Sequence, residues 1–247
     1  MIETAFHVPL LGVQMSLPQD PTSNVQMLLR WIHFLAGIAW IGLLYFFNLV
    51  NVNFMKALDA TTKSKVVPQL MPRVLWWFRW GAALTVLSGL LYYLMILGSE
   101  PLFGQTFLTW VIVVIVAYAL MYGILQVSQG SLNNGRVLAL VFTILALAMA
   151  WLIPALNGGP GISTRSLSIG IGGGYGILMF LNVWLIIWPC QKKIIAWTIE
   201  SAEKGTKPPA EMAQLARRAF LTSRTNAFLS IPMLFFMAAA SHYPLFG

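Results

Sequence analysis

The longest runs without a charged side chain decide what this chain can fold into. No Asp, Glu, Lys or Arg occurs from Trp31 to Met55, Trp80 to Ser99, Pro101 to Gly135, Val137 to Thr164, Ser166 to Gln191 or Thr225 to Gly247. A helix needs about 20 consecutive apolar residues to cross a bilayer core, and each run holds one such stretch. The spans are expected at 27–50, 80–97, 107–127, 137–156, 168–189 and 221–240. Composition agrees: 9% of the residues are charged and 58% hydrophobic, where a soluble domain carries roughly 25% charged residues. The sequence therefore predicts an all-α integral membrane protein of about six transmembrane helices, which excludes a soluble enzyme. The whole of 1–247 reads as a single membrane domain. The first 23 residues hold Glu3, Asp20 and three prolines, and no basic start leads into an apolar run. Insertion is accordingly expected from the first span.

The basic residues predict the orientation. The three loops after spans one, three and five hold 13 of the 15 Lys and Arg, and Arg30 and Arg165 lie on the opposite side. The positive-inside rule puts those loops in the cytoplasm and both termini outside. Residues 1–25 then form an external segment, and 51–72 and 191–217 are cytoplasmic amphipathic connectors, with Pro68, Pro72, Pro208 and Pro209 read as their punctuation. The net charge of +8 is topogenic, and the connectors suit contact with anionic lipid. No basic stripe on a soluble face suggests nucleic acid as a partner. The single cysteine, Cys190, rules out a disulfide within the chain, and no C-x-x-C-H haem-attachment motif is present.

Spans one and two resemble spans five and six. Gly42-Leu43-Leu44-Tyr45-Phe46-Phe47-Asn48 matches Gly176-Ile177-Leu178-Met179-Phe180-Leu181-Asn182. Gln69-Leu70 followed by Arg73 and Arg79 matches Gln214-Leu215 followed by Arg218 and Arg224 at identical spacing. Two spans separate the units, so they run in the same direction and imply a pseudo-two-fold axis along the membrane normal.

Polar groups inside spans are expensive and each needs an account. His33, Gly37, Trp40, Leu44, Asn48 and Asn51 fall along one face of the first span. A histidine with glycine four residues later leaves room for a flat macrocycle, which makes His33 a candidate ligand for haem b. The alternative is a histidine bonded to a neighbouring helix, with Gly37 permitting close packing. His242 follows the last span on the same side and is a possible second ligand, and His7 is in the external segment. The repeat aligns His33 with Leu167 and His242 with Leu97, so any haem ligation is asymmetric. No metal site beyond haem is expected. Arg73, Arg79, Arg218 and Arg224, with Asn48, Asn182 and Asn226 at similar depth, form a second constellation. These suit a planar anion, or else cap helix ends, bind lipid phosphate or snorkel. Gly170 with Gly174, and Gly172 with Gly176, are small-residue pairs that predict close helix contact.

The chain resembles the membrane domain of the bacterial urate hydroxylase (urate oxidase) family. The resemblance rests on Arg30-Trp31-Ile32-His33, Ala36-Gly37-Ile38-Ala39-Trp40-Ile41-Gly42, Tyr45-Phe46-Phe47-Asn48 and Arg79-Trp80-Gly81. It continues through Asn182-Val183-Trp184-Leu185-Ile186-Ile187-Trp188-Pro189, Ser223-Arg224, Pro232 and His242-Tyr243-Pro244. It implies a bacterial inner membrane and a redox-linked role. Members of this type often carry a cytochrome c domain after the membrane part, and this sequence ends at Gly247, where such a domain would start. Three functions follow as expectations. One is a membrane electron-transfer or oxidase component working with an external cytochrome c. Another is a cofactor-free accessory subunit of a larger membrane complex. The third is a transporter, which the absence of a charged or broken midplane helix argues against.

Overall fold

The computed structural model describes residues 18–127 and 133–246, together with the backbone of two short antiparallel strands, β1 (Phe6–His7) and β2 (Gln14–Met15). Most of the expected external segment, including the side chain of His7, lies outside the described residues, as do 128–132 and Gly247.

Six continuous helical rods follow. The first joins α1 (Pro21–Tyr45), a π-helical turn (Phe46–Asn51) and α2 (Val52–Ala57). Then come α3 (Ala60–Leu97), α4 (Phe103–Val127) and α5 (Gly135–Asn157). The fifth rod joins α6 (Thr164–Asn182), a second π turn (Val183–Ile187) and α7 (Trp188–Lys204). The sixth is α8 (Glu211–His242). The first five rods are long and apolar enough to cross a membrane, and this is a multi-pass membrane protein. α8 is 32 residues long, and its hydropathy is lowered by Thr222, Thr225, Asn226 and Ser230, all of which are buried against other helices.

The connectors differ from expectation in one respect. Pro68 and Pro72 do not punctuate; they lie inside α3. An interior proline costs a helix about 3 kcal/mol, but Met71, Leu75 and Phe78 follow at helical spacing and enter the core, and their burial offsets it. The break falls earlier, at Leu58–Asp59, where the Asp59 carboxylate accepts from the Thr62 N–H at 3.0 Å. Asp20 caps α1 in the same way, accepting from the amides of Thr22 and Ser23. These bonds hold both carboxyls below the ordinary range, Asp20 chiefly through the Ser23 hydroxyl and Asp59 chiefly through that of Thr62.

The two repeat units fold alike. α1 packs along α3, and α6 packs along α8. The π turns fall at matching depth: adding the 134-residue offset between Asn48 and Asn182 carries 46–51 onto 180–185, overlapping Val183–Ile187. α6 is the central helix, buried nearly all round from Ser166 to Asn182. A helix surrounded on every side must be slim somewhere, which gives the glycines their place. A Cβ on Gly172 would stand 3.2 Å from the Met233 carbonyl of α8, and one on Gly174 would stand 3.1 Å from Met149 of α5. Gly170 abuts the Tyr93 hydroxyl, and its carbonyl accepts from the Trp110 indole at 2.7 Å. Glu100, in the loop between α3 and α4, fixes the start of α6. Its Oε1 accepts from the Ser163 amide, the Ser163 hydroxyl and the Ser166 hydroxyl at 3.2, 2.6 and 2.5 Å.

Candidate functional site: a cavity between the two repeat units

α1 and α3 pack along each other, and small residues of α3 face α1 at two depths. At Gly81 a Cβ would lie 3.4 Å from Ala36 O and Trp40 N, so the two backbones pass close to one another there, at ordinary contact distance for a methyl group. Eight residues further along α3, about 12 Å at 1.5 Å per residue, Gly89 makes room for an imidazole. A Cβ there would lie 2.7 Å from His33 Cε1 and 2.8 Å from its Nδ1. His33 is fixed by a bond between Nδ1 and the Thr85 carbonyl at 2.8 Å. A carbonyl can only accept, so Nδ1 carries the proton and Nε2 of the neutral ring keeps its lone pair. Histidines that bind metals are oriented by this kind of bond from the other ring nitrogen.

His33 lines a cavity of about 670 Å³ bounded chiefly by α1, α3, α6 and α8. Its walls are mostly apolar, with Phe34, Ile41, Leu90, Ile169, Ile177 and Met233 among them. Gly37, Gly173 and Gly176 also line it, and His242 does so from the end of α8. The structure thus brings the two candidate histidines to one cavity. Gly37 meets Thr85 only at 3.8 Å, so a methyl group would be tolerated there; the position that requires glycine is Gly89. Trp40 also lines the cavity, and its indole N–H is buried without a hydrogen-bond partner among the described residues. At the same end as His242, Arg30 and Arg165 flank the Tyr92 ring, their guanidinium carbons 6.0 and 5.6 Å from its centroid, and Arg165 donates to the Tyr92 hydroxyl. Arg30 and Tyr92 both line the cavity.

The arginine constellation does not assemble. Arg73 folds back on Gln69, Arg79 stacks 3.4 Å over the Trp188 ring, and Arg218 donates to Gln126 O at 3.5 Å. Arg224 lies over Phe220 in a separate recess with Arg136 and Arg217. The reason is helical geometry: six residues turn a helix through 600°, leaving each arginine pair about 120° apart around its axis. The asparagines serve the core. Asn48 Nδ2 donates to Leu44 O and Ser223 Oγ at 2.8 and 2.9 Å, and Asn182 Nδ2 donates to Asn226 Oδ1 at 2.8 Å. Asn226 in turn donates to Met179 O at 2.9 Å.

Sequence reasoning missed Gly89, Thr85, Arg30 and Tyr92 as parts of this cavity. Gly89 and Thr85 lie four residues apart in the second span, and that small-residue face, set opposite a lone histidine, was the available signal.

The match to known families agrees with the architecture. The model of the urate oxidase N-terminal family matches residues 58–246. The chain belongs to this family. In this urate-oxidase-type membrane protein the matched residues run from the break after α2 through α8, so Gly89, Thr85 and His242 fall inside the match and α1, with His33, precedes it. No curated protein and no solved structure matches the chain significantly.

Proposed function

We propose that this chain is the membrane redox component of a urate-oxidase-type system. In this reading a haem b sits in the cavity between the repeat units on His33, and electrons pass to an external cytochrome c. The observation that carries it is the His33–Thr85 bond beside Gly89. It fixes one imidazole in a slot no other side chain at position 89 would leave open, with Nε2 free to bind a metal. The cavity also fits the group on other grounds. Its volume is within the usual 300–1,000 Å³ for cofactor pockets, its walls are apolar, and Arg30 stands at its polar end as a partner for carboxylate groups. His242 lines the same space and is the candidate second ligand.

Haem supplies one-electron transfer when bound. The protein's part is to hold it: His33 ligates, Gly89 and Thr85 orient His33, and the apolar walls exclude water. The distribution of Lys and Arg supports an orientation with this cavity near the outer face of a bacterial inner membrane, where cytochromes c reside. Family membership supports an oxidative role but leaves the substrate open.

The test is a reduced-minus-oxidised optical spectrum of protein purified from its native source, beside a His33→Ala variant. A haem b band that disappears in the variant is the expected result. A featureless spectrum from folded protein would overturn the haem reading and favour a cofactor-free subunit of a larger complex.

A further inference from the structure

A second recess, of about 410 Å³, opens between the start of α5 and the first half of α8. It lies at the connector end of the bundle, remote from His242. Arg136, Arg217 and Arg224 line it, and no carboxylate does. Neither ion pair among the described residues involves these arginines. Arg217 is braced by Asn133, donating to its Oδ1 and backbone O at 3.1 and 2.7 Å. Arg217 and Arg224 both lie against the Phe220 ring, at 5.7 and 5.3 Å. Arg136 and Arg224 make no side-chain hydrogen bond to the protein among the described residues. Three cations thus line one recess, two of them with guanidinium groups that have no hydrogen-bond partner among the described residues.

The deeper half of the recess is apolar, formed by Leu138, Phe142, Leu221 and Phe228. The surface continues the same way. Below Arg136 the face of α5 runs through Leu140, Ile144 and Leu147, all more than 60% exposed. Below Arg224 the face of α8 runs through Phe228, Ile231 and Phe235, the last two exposed at 65% and 55%. These residues recur at three- and four-residue spacing, so each arginine heads a continuous outward apolar stripe. A soluble anion would use the cations and leave the apolar half of the recess empty. A lipid uses both.

We propose that this recess seats an anionic phospholipid of the leaflet at the connector end. Its phosphate lies among Arg136, Arg217 and Arg224, and one acyl chain lies against Phe142 and Phe228. Guanidinium groups suit this partner because they bind phosphate oxygens in pairs, and the leaflet facing basic loops is the anionic one.

The test is native mass spectrometry of the full chain released from detergent with dioleoyl-phosphatidylglycerol or dioleoyl-phosphatidylcholine. Phosphatidylglycerol should be retained about tenfold better, the scale set by a few surface cations. Arg136→Gln with Arg224→Gln should abolish the preference, and lysine at both positions should keep it. Ala139→Phe, which narrows the apolar half, should weaken lipid retention with all three arginines present. The proposal fails if both lipids are retained equally, or if the preference survives the glutamine pair. It fails also if excess inorganic phosphate displaces the lipid headgroup, which would mark a site for soluble anions. If the glutamine pair does not fold, judged by circular dichroism, the lysine and Ala139→Phe variants decide between the same outcomes.

Discussion

The two repeat units share a frame and differ in what they do with it. Each is an antiparallel helix pair with a π turn at the same depth and an asparagine beside it. In the α1–α3 unit the positions facing each other toward the His242 end are His33 and Gly89. The same offsets that align the repeats place Leu167 and Leu234 there in the α6–α8 unit. One unit sets a fixed imidazole beside a glycine at these positions; the other carries Leu167, which is buried, and Leu234, which lines the shared cavity from α8. Symmetry sets the scaffold, and its local breaking sets the site.

The strongest way to break that contrast is to make the first unit like the second. Gly89→Ala puts a methyl group where His33 Cε1 now lies 2.7 Å away, so the imidazole must leave its bond to Thr85. If haem binds on His33 as proposed, affinity for haemin should fall about 10- to 100-fold, as when an orienting partner of a metal-bound histidine is lost. Titration of the apo-protein with haemin measures this, and unchanged affinity would show that Gly89 does not shape the site. A smaller effect is expected in the second unit, where Asn182→Leu leaves the Asn226 carbonyl oxygen without its donor. The cost should be about 1–2 kcal/mol, read from denaturant unfolding in detergent. No loss there would mean that the buried amides do not hold α6 to α8. The smallest concerns the brace between units. Glu100→Gln weakens the bonds to Ser163 and Ser166 by about 0.5–1 kcal/mol. Hydrogen exchange at the amides opening α6 should rise, while those of Gly89 to Leu94 should not change.

Much of this was legible in the residues. Charge spacing located all six rods, because a charged side chain in lipid is too costly to place freely. The repeat was visible because its markers are polar and sparse. The π turns were invisible, since one extra residue in an apolar helix leaves no change in composition. Gly89 was missed for a related reason: a mid-span glycine reads as packing until the opposite helix is known to carry an imidazole. The arginines matched in sequence spacing, while about 120° of rotation separates each pair on its helix, so the match alone could not say which of them share a site. Arg136 and Arg217 were read only as topological charge, because their convergence depends on α5 meeting α8.

The composition of α8 bears on how the protein is made. Its membrane-depth stretch carries Thr225, Asn226 and Ser230, all buried, and Asn226 exchanges hydrogen bonds with Asn182 and Met179 of α6. Tyr45 of α1 reaches Ser230 at 3.0 Å. A nascent helix of this kind gains little from entering lipid by itself, since its amides and hydroxyls would arrive without partners. The preceding helices supply those partners. α8 is therefore expected to enter the membrane by docking onto helices already inserted, which would make synthesis order part of the folding mechanism.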